Sequence, residues 1–135
     1  MPKRDVLIVE DERLVAVDLQ ASVTDLGYNV VANVASGEEA VACAQNLQPD
    51  IVVMDVRLRG PMTGVDAGLV ICEQWGIPVI YMSSFIDTDI RRQAGASAAA
   101  FVPKPFTVRA VKAALESVVP GVGLEPTLPL PEKGF

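Results

Sequence analysis

The chain has 135 residues, 50% of them apolar and 21% charged, the balance of one globular domain with little chain left over. Eleven basic against seventeen acidic residues leave a net charge of −6, which repels phosphate backbones and argues against direct nucleic-acid binding. The absence of histidine excludes Ser-His-Asp and Cys-His catalysis, and no apolar run approaches the ~20 residues of a membrane span, so the chain reads as cytoplasmic.

The first predicted strand is Asp5 to Val9, apolar throughout from Val6, as a strand covered on both faces must be. A helix follows, with Val15, Leu19, Val23 and Leu26 on one face and Gly27 at its end. Tyr28 to Val34 reads as a second, more polar strand. Ser36-Gly-Glu-Glu39 is a capping box for a helix whose apolar face is Ala40, Val41, Ala44 and Leu47, closed by Pro49.

Ile51 to Met54 is a third strand, ending at Asp55. After a loop with Gly60 and Pro61, Val65, Leu69, Cys72 and Trp75 mark a helix stopped by Gly76. Ile77 to Met82 is a fourth strand. Asp87 to about Ala96 is a weaker helix with Ile90 its only large apolar residue, and Ala98 to Val102 is a short fifth strand. Thr107 caps a last helix with Val108, Val111, Leu115 and Val118 on one side. Cys43 and Cys72 show no redox or zinc spacing and read as small buried apolar residues.

Five alternations of strand and helix predict an α/β domain: a doubly wound, five-stranded parallel sheet. The most apolar strands, first, third and fourth, belong at the centre, which gives the flavodoxin-like order 2-1-3-4-5. The domain is expected over residues 1–119. Residues 120–135, rich in proline and glycine, are expected to form a separate tail.

In such a sheet, ligands bind beyond the carboxyl ends of the strands, where the strand order reverses. Glu10 and Asp11 follow the first strand, Asp55 ends the third, Ser83 follows the fourth and Lys104 the fifth. Taken singly, each has a plain structural role: a helix cap, a turn acid, a loop hydroxyl, a solvated lysine. Taken together, three acids, a hydroxyl and a lysine converge on the functional edge. Crowded carboxylates resist ionisation unless a cation joins them, and an all-oxygen set suits Mg2+, which keeps waters and leaves room for phosphate oxygens. Asp55, alone at the centre, is then the nucleophile toward phosphorus. Glu10 and Asp11 are suited to the metal.

The segments Val6-Leu-Ile-Val-Glu10-Asp11-Glu12, Asp50-Ile-Val-Val-Met-Asp55, Met62-Thr-Gly64, Pro78-Val-Ile-Tyr-Met-Ser83-Ser84 and Lys104-Pro-Phe106 resemble, in order and spacing, the receiver domain of bacterial two-component response regulators. The resemblance covers about residues 5–118. It implies that Asp55 is the phosphoacceptor. Asp11, Asp55 and the backbone carbonyl of Arg57 would be Mg2+ ligands, with Glu10 acting through water. Ser83 would be the switch hydroxyl, Phe101 the switch aromatic, and Lys104 the partner of the phosphoryl group, with a cis peptide between Lys104 and Pro105. The phosphate donor would be a histidine kinase or a histidine phosphotransfer protein. Output would pass to a protein target through the fourth helix, fifth strand and fifth helix, from a monomer or weak homodimer without turnover beyond self-phosphorylation and slow autodephosphorylation. The stretch from Ser83 to Lys104 is one residue shorter than in many receivers. Arg57 and Phe85, two residues past the acceptor and the switch serine, are expected to obstruct the attacking water and slow hydrolysis.

Three rival readings fit less well. A phosphatase with an aspartate nucleophile would want an acid at position 57, where Arg57 stands. A flavin or nucleotide carrier would want a glycine- or hydroxyl-rich loop where Glu10-Asp11-Glu12 stands. A phosphorylation-independent interaction module would not need the full set of acids, hydroxyl and lysine. The chain reads as a stand-alone receiver, with a receiver cut from a longer regulator as the alternative.

Overall fold

A computed structural model describes residues 3–118. In chain order the elements are β1 (Asp5–Val9), α1 (Arg13–Asp25), β2 (Asn29–Val34), α2 (Gly37–Leu47), β3 (Ile51–Asp55), α3 (Gly64–Trp75), β4 (Val79–Ser83), α4 (Thr88–Ala94), a 3-10 turn (Gly95–Ser97), β5 (Ala98–Pro103) and α5 (Val108–Ser117). All strand pairs are parallel, in the order β2-β1-β3-β4-β5. The predicted tail lies outside the described residues.

Strand periodicity divides the core in two. Leu7, Val9, Val52, Met54, Val79 and Tyr81 face one layer, packed with Ala40, Ala44, Val65 and Ile71 from α2 and α3. Val6, Ile8, Ile51, Val53, Ile80 and Met82 face the other, packed with Leu19 and Val23 of α1 and Val111 and Leu115 of α5. The three central strands are buried on both faces, which explains their unbroken apolar runs.

The helix boundaries follow local chemistry. Ser36 Oγ accepts the Glu39 N–H at 3.1 Å, and the Glu39 carboxylate returns to the Ser36 hydroxyl and the Ala35 N–H. Thr107 Oγ1 accepts the Ala110 N–H and begins α5. Gly27 and Gly76 take the positive φ expected at helix ends. A capping box between Thr63 and Asp66, which the sequence reading missed, begins α3.

Several expectations need correction. Leu47 is 46% exposed and Val108 50% exposed, so neither belongs to the apolar face assigned to it. Leu47 is the last residue of its helix and Val108 the first of its own, where the apolar stripe has left the sheet. In α1 the fully buried face is Ala16, Leu19 and Val23, with Val15 only half-buried. β4 starts at Val79 rather than Ile77, since Pro78 has no N–H for the ladder, although its carbonyl accepts the Val52 N–H. The fourth helix ends at Ala94, and the remaining turn tightens to 3-10 geometry after Gly95 at φ +52°. Cys43 and Cys72 are free thiols, only partly buried.

Candidate functional site

The carboxyl ends of β1, β3 and β4 and the segment after β5 open on a cavity of about 390 Å³ lined by Asp11, Asp55, Arg57, Arg59, Ser83 and Lys104, among others. Backbone bonds continue past the strand ends and hold these residues in place. The Glu10 N–H donates to the Val34 carbonyl, that of Val56 to Met82, and that of Lys104 to Ser83. α3 presses on the same place. A Cβ at Gly64 would lie 1.9 Å from the Asp55 carbonyl oxygen, so only glycine lets the helix start this close to β3.

Glu10, Asp11 and Asp55 each offer a carboxylate oxygen, all within 4.8 Å of one another. Glu10 is 1% exposed and Asp55 4%. Two buried acids need a cation, and Lys104 supplies it: its Nζ lies 3.0 Å from Glu10 Oε1 and 3.2 Å from Asp55 Oδ2. The Lys104–Pro105 peptide is cis, as the resemblance implied. The Arg57 N–H donates to Asp55 Oδ1 at 3.1 Å and orients that carboxylate.

Burial pushes the Asp55 carboxyl up to about 6, and the neighbouring Glu10 charge adds to the rise; Lys104 opposes both without cancelling them. Burial alone would lower the Lys104 pKa, but the hydrogen bond to Glu10 and the charges of Asp55 and Glu10 raise it above the ordinary lysine value. One ammonium therefore leaves the acid cluster under-neutralised. This all-oxygen, charge-deficient set fits a small hard divalent cation.

The plain reading of Asp11 as a helix cap fails. Glu12 holds the N-cap position of α1 without a side-chain bond, and Asp11 Oδ2 instead accepts the Arg59 N–H at 3.0 Å. Ser83 is buried beside the cavity, but its hydroxyl is engaged locally. It donates to the Phe85 carbonyl and accepts the Phe85 N–H. The Phe85 side chain is 61% exposed and does not line the cavity, whereas Arg57 does. Of the two residues expected to hinder water, only Arg57 is therefore at hand. Phe101 is half-buried, stacked on Tyr81 with centroids 5.9 Å apart and with the Arg91 guanidinium 4.8 Å from its ring centroid.

Sequence reasoning missed Arg59, which makes a second contact to Asp11, and Glu12, whose carboxylate lies 3.7 Å from Lys104. It also missed Tyr81, fully buried, whose hydroxyl bonds Ser97 at 2.7 Å. The available signals were a second arginine just before Gly60-Pro61 and a tyrosine inside an otherwise aliphatic strand.

A family model of the response regulator receiver domain matches residues 6–116. The transcriptional regulatory protein PdtaR of Mycobacterium tuberculosis is 35% identical over 120 residues, covering 88% of this chain and 58% of PdtaR. The chemotaxis protein CheY of Thermotoga maritima is 32% identical over 129 residues, covering 87% of this chain and 98% of CheY. The crystal structure of the signal receiver domain of a modulated diguanylate cyclase from Desulfovibrio desulfuricans G20 superposes with a TM-score of 0.80 at 32% identity, covering 87% of this chain and 94% of that one. The chain thus spans little more than half the length of PdtaR. It belongs to the response regulator receiver family, the signalling module of two-component systems, and its sheet order is the one predicted from the apolar runs.

Proposed function

We propose that this receiver accepts a phosphoryl group on Asp55 from a histidine kinase or a histidine phosphotransfer protein. It would then signal by protein contact through the face formed by α4, β5 and α5. In the transfer, a carboxylate oxygen of Asp55 bonds to phosphorus. The phosphorus–nitrogen bond to the donor imidazole breaks, and its electron pair stays on that nitrogen. Lys104, already beside Asp55, pairs with the incoming phosphoryl oxygens, and the Ser83 hydroxyl leaves the Phe85 main chain to meet them. Asp11, Asp55 and the Arg57 carbonyl would hold Mg2+, with Glu10 acting through water. The ion would neutralise charge on the phosphoryl oxygens. Arg57 narrows the path of attacking water and prolongs the phosphorylated state. The single observation that carries this reading is the buried Asp55 bridged to Glu10 by Lys104 at the mouth of a polar cavity.

Residues 1–119 are proposed as the receiver and 120–135 as a tail outside it, in a monomer or weak homodimer. Incubation with acetyl phosphate and Mg2+, followed by intact mass, tests the central assignment. One phosphoryl adduct is expected on the parent and none on Asp55→Asn. No adduct on the parent, or an equal one on the variant, overturns it.

A further inference from the structure

We propose that Arg59 is a built-in counter-ion of Asp11, which the divalent cation must outcompete to enter the site. This inference rests on the acid site's being an ion site, as argued above. Two groups of one residue converge on a single oxygen. The Arg59 N–H donates to Asp11 Oδ2 at 3.0 Å, and the Arg59 Nε lies 3.7 Å from the same atom. Gly60, at φ +100°, turns the chain directly after Arg59, and Pro61 fixes the next torsion. The β3–α3 loop thus carries residue 59 back toward the end of β1.

The charges divide cleanly. Lys104 serves Glu10 and Asp55, which leaves Asp11 as the member of the triad paired with a different cation. The Asp11 side chain is 12% exposed and the Arg59 side chain 85%, so the acid is fixed while the guanidinium is free to swing into water. A divalent ion seated among the three carboxylates meets Arg59 twice: as a rival for Asp11 and as a like charge beside it. Both effects weaken ion binding, so removing the side chain must strengthen it. The main-chain bond survives the substitution and keeps Asp11 in place. Arg57 lines the same cavity and, among the described residues, forms no ion pair with Asp11. It is the control for a charge that is merely nearby.

Calorimetric titration of Mg2+ into the full 135-residue chain tests the proposal, using the parent, Arg59→Ala, Arg59→Lys, Arg57→Ala and Asp11→Asn. Arg59→Ala is expected to bind about two- to fivefold more tightly, the range set by an exposed ion pair. Arg59→Lys keeps the charge and should stay within about twofold of the parent. Arg57→Ala should gain less than Arg59→Ala. Unchanged or weaker binding by Arg59→Ala overturns the proposal, as does an equal gain in Arg57→Ala, which would reduce the effect to the general field. If those results come with loss of binding in Asp11→Asn, the ion-site reading stands and only the role of Arg59 falls. If Asp11→Asn binds like the parent, or no protein binds Mg2+, both fall together.

Discussion

The centre of the sheet and its β5 edge are built by different means. At the centre, β1, β3 and β4 are buried on both faces, and the acids at their ends are fixed by backbone bonds and by the first turn of α3. At the edge, β5 has one fully buried residue, Val102, and α4 has one, Ala94. A few particular contacts replace bulk packing there. The Tyr81 hydroxyl bonds Ser97, Ser97 bonds the Ala94 carbonyl, and Phe101 lies between Tyr81 and Arg91. The contrast suits the two tasks proposed above for this receiver. Phosphoryl transfer needs atoms held in place, whereas a signalling face needs a structure with little to lose on rearranging.

The sharpest way to break the centre is Gly64→Ala. Its Cβ meets backbone rather than a movable side chain, so β3 or α3 must shift, at a cost of about 3 kcal/mol. Urea unfolding measures it. A cost under 1 kcal/mol would show that the two elements are not in rigid register.

Lys104→Ala comes next, since it leaves Glu10 buried without its cation. A buried charge that loses its partner costs about 3–5 kcal/mol; Lys104 itself is 15% exposed, so a loss of about 2–3 kcal/mol is expected in the same assay without added metal.

Asp55→Asn should do the opposite. The folded acid titrates near 6 and the unfolded one near 3.8, so between these values the folded protein holds a proton that the unfolded chain has released. Stability therefore falls as pH rises through this window, and the penalty is complete above it. In metal-free buffer the variant should gain about 2 kcal/mol at pH 7. The gain should shrink toward zero below pH ~4, where the acid is protonated in both states. Melting curves across pH decide this, and a gain independent of pH would remove the electrostatic cause.

The smallest effect belongs to the edge. Tyr81→Phe deletes one buried hydrogen bond and should cost about 1 kcal/mol. Amide exchange should quicken in residues 94–101 and stay unchanged in β1 and β3. Uniform acceleration would mean that centre and edge open as one unit.

The same contrast explains what could be read from the sequence. The central strands announce themselves through unbroken runs such as Ile51 to Met54, and glycine or proline marks most helix ends. The five residues at the strand ends were legible as a candidate cluster because each ends a strand or stands within two residues of its end. The rest was not, because it depends on contacts between distant residues. Nothing local says that Arg59 turns back to Asp11, 48 residues earlier, or that Tyr81 reaches Ser97. The local bonds of the Ser83 hydroxyl were not legible either, since they come from the main-chain turn at Phe85. Leu47 and Val108 obey the helical period but sit at helix ends, where the period no longer reports burial.

The position of Lys104 has one more consequence. The ammonium that makes two interior acids tolerable sits just beyond an edge strand, and the Lys104 N–H ties that strand's end to the middle through the Ser83 carbonyl. Only Val102 of that strand is fully buried, yet peeling the strand away would also leave Glu10 and Asp55 without compensation. Electrostatics thus helps to fasten a border that has little fully buried surface, and any force on that border also tugs on the charge balance around Asp55.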